Sequence, residues 1–248
     1  MRHTSFITTI ALASVVFFTA CKKEDNPTST GTGPQVVPLQ STVQAPVNLA
    51  GASNYAILAG SSISSTGATN ITGDMGLSPG SSIGGFPPGI LVGVQHINDA
   101  SANQAKLDIT AAYNDAAGRT ATDIVTLAGN LGGMTLTPGL YKSGSSIAIS
   151  SGDVTFDALG NPNAVFIIQI ASTLTTTSGR KVILAGGASA ANIYWVVGTS
   201  ATFGTTSVMK GNIIAYQAIT FNTGASLDGR ALARNSAIVM AGNTIVRP

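Results

Sequence analysis

Residues 199–248 read TSATFGTTSVMKGNIIAYQAITFNTGASLDGRALARNSAIVMAGNTIVRP, and three apolar columns in this stretch recur every 18 residues. Phe203, Phe221 and Val239 form one column, Met209, Leu227 and Ile245 a second, and Ala201, Ile219 and Ala237 a third. Gly211 matches Gly229, Ile214 matches Leu232, and Ala215 matches Ala233 at the same offset. A short fixed period marks a solenoid, whose repeats bury their apolar sides only by stacking on one another. An 18-residue lap of extended chain has a perimeter of roughly 60 Å, at about 3.3 Å per residue. That suits one coil of a parallel β-helix with three short faces and three turns.

Strand side chains alternate between the two faces of a sheet. With Ile219 and Phe221 pointing in, Ala218 and Thr220 point out. The same outward places hold Ser200 and Thr202 one coil earlier, and Ser236 and Ile238 one coil later. Stacked coils set such residues about 4.8 Å apart in ranks, a face of hydroxyl, methyl and aliphatic groups without charge.

Working back toward the N-terminus, the coils continue. Ile147 and Ile149, Val154 and Phe156, then Phe166, Ile168, Ile170 and Leu174 alternate inward, which turns Ala171 and Thr173 outward. Trp195 reads as core. The spacings here exceed 18, so the middle coils carry insertions. Asn98–Thr126 breaks the β pattern. Ala102, Ala105, Ile109, Ala112, Tyr113 and Ala116 follow helical spacing, and Asn98, Asp99 or Ser101 could cap the start. A helix of about 20 residues spans ~30 Å, or roughly six coils at strand spacing, so it can lie along the solenoid and cover one face. The Asp residues of this segment read as a solvated helix face. Asn54–Ala59 is a strand of the first coil, and Ile71-Thr72-Gly73 repeats the pattern of Leu227-Asp228-Gly229. Phe86-Pro87-Pro88-Gly89 reads as a turn-rich cap over an open solenoid end.

Ahead of the coils, Met1–Ala20 reads as an export signal, with Phe6–Phe18 as its apolar run. The run is too short for a lasting transmembrane helix. Cys21, the one cysteine of the chain, follows Thr19-Ala20, as in a bacterial lipoprotein signal, where the cysteine is lipidated. Lys22–Pro46 is rich in Pro, Thr, Ser, Gly and Gln, and reads as a flexible tether to a domain over 47–248.

Composition excludes several functions. Charged residues make up 9% of the chain, against about 25% in ordinary domains, and no Lys/Arg cluster suits nucleic acid. With one Cys and two His, a disulfide within the chain and a structural zinc site are both out of reach, and neither a metal nor a cofactor is expected. A polysaccharide-cleaving β-helix would need paired carboxylates or a basic group in a cleft. The single Glu, Glu24, falls in the tether, and no two Asp evidently share a groove. A cell-surface adhesin or carbohydrate-binding module is the other alternative, but sugar sites usually cluster exposed aromatics, and the few here sit mostly at inward columns.

Several ordered segments carry a resemblance. They are Asn54-Tyr55-Ala56-Ile57-Leu58-Ala59-Gly60, Ile71-Thr72-Gly73-Asp74, Gly76-Leu77-Ser78-Pro79-Gly80 and Gly85-Phe86-Pro87-Pro88-Gly89. Further on stand Ala111-Ala112-Tyr113-Asn114-Asp115-Ala116-Ala117, Leu136-Thr137-Pro138-Gly139-Leu140-Tyr141, Asn163–Ile170 and Leu227–Ala233. Over about Leu49–Val246 the chain resembles the microbial ice-binding proteins with a discontinuous β-solenoid. The resemblance implies a right-handed, roughly triangular parallel β-helix with a long helix alongside, and a first coil packed out of order against the last ones. It also implies ice binding, with thermal hysteresis, through one flat β face and adjoining turns. Some members carry a Thr-Ala/Gly-x-Thr/Asn turn motif. Thr66-Gly67-Ala68-Thr69 fits it, and Thr223-Gly224-Ala225-Ser226 departs in its last residue. The candidate ice-binding set is therefore Ser62, Thr66, Thr69, Ala171, Thr173, Ser200, Thr202, Ala218, Thr220, Thr223, Ser236 and Ile238. Ice is the expected partner of a monomeric, non-enzymatic protein, held at the outer membrane or cell surface by lipid on Cys21.

Overall fold

In a computed structural model, which describes Met1 and residues 35–248, the strands pair in parallel and stack into sheets of twelve, seven and four strands. The 18-residue period is visible as a ladder. Val208–Ala215 lies along Ser226–Ala233 in unbroken register, with Met209 opposite Leu227 and Gly211 opposite Gly229. Leu227 then faces Ile245, and Ile245 faces Ile71 of the first coil. Both eight-residue strands bend at their glycine. Gly211 has φ of 108°, which an L side chain rarely adopts, and a Cβ on Gly229 would lie 1.9 Å from the Gly211 carbonyl oxygen. The bend lets one strand serve two faces of the solenoid.

The period fails at one place. Ile219 pairs with Ile238, and Thr220 with Val239. One more residue separates Ala233 from Ile238 than separates Ala215 from Ile219. The next turn is shorter by one, which restores Ile245 to its column. A slip of one residue exchanges the two faces of a strand. Ile238 is accordingly buried and Val239 is 41% exposed, so the expected outward Ile238 and the inward columns through Val239 and Ala237 are corrected.

The first coil closes the solenoid out of sequence order. Tyr55–Ala59 pairs with Ser226–Ala233, Ser62–Thr66 with Ile238–Ala241, and Asn70–Thr72 with Thr244–Val246. Outside it lies a last coil of Ser82–Gly84, Ile90–Val92 and Gln95–Ile97, where Phe86 packs against the core as the expected cap. The solenoid interior is apolar and rich in aromatics. Phe203 and Phe221 meet at a tilt with centroids 5.0 Å apart, and Trp195 meets Phe156 edge-on while its indole N–H donates to the Lys210 carbonyl.

The helix spans Ala100–Gly118, shorter than the expected 98–126. Asp99 caps its start, accepting from the Ala102 N–H at 2.8 Å. At the other end the buried Gln169 side chain donates to the carbonyls of Ala116 and Arg119, satisfying groups that a helix terminus leaves open. Beyond it the chain returns to strand at Val125–Thr126. The stripe of Ala105, Ile109, Ala112 and Ala116 packs on Leu58, Ile167, Val196, Ile214 and Leu232 in a second apolar core outside the coils.

Residues 35–46, expected to end a flexible tether, belong to the fold. Gln35–Val36 pairs with Met134–Leu136, the Gln40 side-chain oxygen accepts from the Leu140 N–H, and the amides of Ser41 and Thr42 donate to Asp123. The expected signal Met1–Ala20 apart from Met1, together with Cys21 and the first part of the tether, lies outside the described residues.

Candidate functional site

Three long faces run along the solenoid, and only one is both bare and neutral. The first is covered by the helix. The second, running from the four-stranded sheet toward Ile90–Val92, carries the ion pairs Arg180–Asp153 at 3.6 Å and Lys210–Asp228 at 3.1 Å. The third is the outer surface of the seven-stranded sheet.

Its central rank follows from the register. Ala148, Thr175, Thr202, Thr220, Val239, Ser64 and Gly84 stand side by side, one per strand. Two residues earlier on each strand comes a second rank of Ser146, Thr173, Ser200, Ala218, Ala237, Ser62 and Ser82. With strands about 4.8 Å apart and alternate residues about 6.7 Å apart, the two ranks form a near-rectangular array of small groups. From the first strand to the seventh it extends roughly 29 Å. No charged residue stands in either rank.

The two ranks differ in how their hydroxyls are engaged. In the second rank, Thr173 donates to Ser146 at 2.8 Å, and Ser200 Oγ accepts from the Ala218 N–H. The hydroxyls of Thr175, Thr202, Thr220 and Ser64 in the central rank make no hydrogen bond to any described residue; Thr175 and Ser64 are exposed, and Thr202 and Thr220 half-buried. They remain free to hold water, while the Thr and Val methyl groups beside them cannot hydrogen-bond.

The corner beyond the sheet extends the face. Backbone bonds stack its turns, from Gly179 to Thr205, Thr206 to Thr223, Gly224 to Ala241 and Gly242 to Thr66. Thr66, Thr205 and Thr223 are exposed along this edge.

Of the candidate residues, Ser62, Thr173, Ser200, Thr202, Ala218 and Thr220 therefore share the face, and Thr66 and Thr223 share its edge. Four do not join them. Thr69 is fully buried, with its hydroxyl 2.6 Å from that of Ser65 and accepting from the Asn243 N–H. It holds the turn together from inside. Ile238 is core for the reason given above. Ser236 sits at the preceding corner and donates to the Gln217 side chain. Ala171 lies at the corner toward the helix and lines a cavity there. Sequence reading missed Ala148, Thr175, Ser64 and Val239. Strict alternation around Leu174 and Ile63 would have found Thr175 and Ser64, whereas Val239 needed the register.

Among the described residues no cluster of three or more His, Cys, Asp or Glu could hold a metal.

The sequence matches the family described as Ice-binding-like over residues 57–246. An ice-binding protein of a Nostoc strain is 44% identical over 78% of this chain and 71% of its own. One from Flavobacterium frigoris is 39% identical over 82% of this chain and 76% of its own. Among solved structures, an ice binding protein from an Antarctic biological consortium superimposes with a TM-score of 0.85 at 71% identity. It covers 86% of this chain and 96% of its own.

Proposed function

Because the chain belongs to the Ice-binding-like family, we propose that it binds ice through the outer surface of its seven-stranded sheet and so inhibits ice growth. One observation carries the choice of face: of the three long faces, this one alone is neither covered by the helix nor charged. Ice offers a lattice of water oxygens with no charge to complement. A charged side chain would keep its own hydration shell and disturb the match, whereas hydroxyls anchor lattice-like water and methyls cage it. The strands are rigid before contact, so little ordering cost falls on binding. Adsorbed molecules then pin the ice front, which grows as curved surfaces between them and freezes at a lower temperature. No step of this activity requires a catalyst, and it suits a monomer.

Thr220 is the test residue, at the middle of the central rank between Thr202 and Val239. Thr220→Tyr raises a ring through the plane of the face. Stability should move by within about 0.5 kcal/mol, as for most surface substitutions, while thermal hysteresis and ice-plane staining should fall by most of their value. Thr155→Tyr on the charged side should keep both. Full activity in Thr220→Tyr would remove the face from consideration.

The export reading stands beside this proposal. Thr19-Ala20-Cys21 after an apolar run supports lipidation of Cys21 and placement at the outer membrane or cell surface. Cys21→Ala should release the protein from the membrane fraction or block its processing, and identical soluble behaviour of both forms would remove the anchor.

A further inference from the structure

A cavity of about 510 Å³ opens between the helix and the corner where the helix-covered face meets the bare one. It falls within the size range of small-molecule sites. Tyr113 and Asn114 of the helix, Lys142 and Gln169 of the strands beneath, and Tyr216 and Arg234 of the corner turns supply its polar and aromatic wall. Among the described residues no carboxylate lines it.

The charge there is uncompensated. The Arg234 guanidinium packs against the rings of Tyr113 and Tyr216, 4.6 and 5.0 Å from their centroids, and the two rings touch each other with centroids 5.9 Å apart. Its Nε is buried with no hydrogen-bond partner among the described residues. Among the described residues neither Arg234 nor Lys142 has an acidic partner. A third cation, Lys106, donates to the carbonyls of Ala233 and Arg234. Burial, helped by the Arg234 charge, lowers its pKa to about 8. Two cations, Lys142 and Arg234, thus line one concavity, with Lys106 bonded to the Arg234 carbonyl beside it, in a chain with very few charges. Buried polar groups left without partners are uncommon in folded proteins and call for an explanation.

We propose that this cavity binds a uronic acid unit of an acidic polysaccharide. The carboxylate would take the place between Lys142 and Arg234, where a charge-assisted hydrogen bond is stronger than a neutral one. The ring would lie against Tyr216, which is 40% exposed at the mouth, because a pyranose has an apolar C–H face that packs on an aromatic. The Asn114 amide lines the same wall and would meet the ring hydroxyls, whereas the Gln169 NH2 is committed to the carbonyls at the helix end. Packing the guanidinium against two rings lowers the entropy lost on binding. The site is separate from the array of Thr220 and its neighbours, so one molecule could hold an acidic matrix and ice together. This inference does not depend on the ice-binding reading.

Calorimetric titration of the purified protein at low salt tests it, with trigalacturonate as the probe and maltotriose and acetate as comparisons. Trigalacturonate should bind in the millimolar range or tighter, weaken at least tenfold at high salt, and outbind both comparisons by at least tenfold. Lys142→Glu and Tyr216→Ala should each cut its affinity at least tenfold while leaving thermal hysteresis unchanged. Absence of binding overturns the proposal. Equal affinity in the variants places the ligand elsewhere, acetate binding as tightly reduces the site to a simple anion hole, and maltotriose binding as tightly removes the role of the cations. Each of these results would overturn the assignment.

Discussion

At the scale of single residues, two neighbours on one strand should behave oppositely. Ile238 is buried against Ile219 and Ile63, and Val239 stands exposed between Thr220 and Ser64. Ile238→Thr should cost about 1–3 kcal/mol, since it buries a hydroxyl without a partner and removes packed methylene. Val239→Thr should change stability by within about 0.5 kcal/mol and add a hydroxyl to the central rank. For a domain of this size 1 kcal/mol moves the melting temperature by about 2–4 °C, so thermal melts resolve the pair. The reverse order would restore the unbroken 18-residue period. The same contrast between motif and place separates Thr66 from Thr69. Both stand in one turn motif, yet only Thr66 meets solvent.

At the scale of elements, one carboxylate gathers the Ser41–Thr42 part of the segment before the first coil. Hydrogen bonds from Thr42, and then from Ser41, keep Asp123 well below the usual carboxylate range. A depressed folded-state value means that the contact stabilises fully above the unfolded pKa of about 3.9. That stabilisation fades as pH falls through the lower, folded value. Asp123→Asn should therefore speed amide hydrogen exchange at Ser41 and Thr42 at neutral pH without altering exchange in the coils. Wild type should approach the variant only in strong acid. Unchanged exchange in Asp123→Asn would show that the pairing of Gln35–Val36 with Met134–Leu136 suffices to hold the segment.

At the scale of the molecule, the core is continuous because the first coil stacks on the last. Leu227 sits in the middle of that column, with Met209 on one side and Ile245 on the other. Leu227→Asp would bury a carboxylate among Phe221, Ile245 and their neighbours with nothing to pair it. It should cost several kcal/mol and lower the melting point of the whole domain in one transition. Loss confined to the C-terminal coils would show that the solenoid unfolds in separate pieces.

The sequence by itself determined the solenoid, the inward columns of Met209, Leu227 and Ile245, the apolar stripe of the helix and the neutrality of the outward residues. Those properties are written in periodicity and composition, which need no partner to be read. Only the tertiary structure decided which neutral residues share a plane. An extra residue before Ile238, returned in the next turn, leaves the column through Ile245 intact while exchanging inside and outside on the strand between. Nothing in a fixed period reports such a compensated insertion, because its two halves cancel over the full lap. The packing of residues 35–46 was hidden for a related reason. Pro and polar residues read as a tether, and it takes the strand Met134–Leu136, the Asp123 carboxylate and the Arg119 guanidinium, all distant in sequence, to give that segment partners for its backbone.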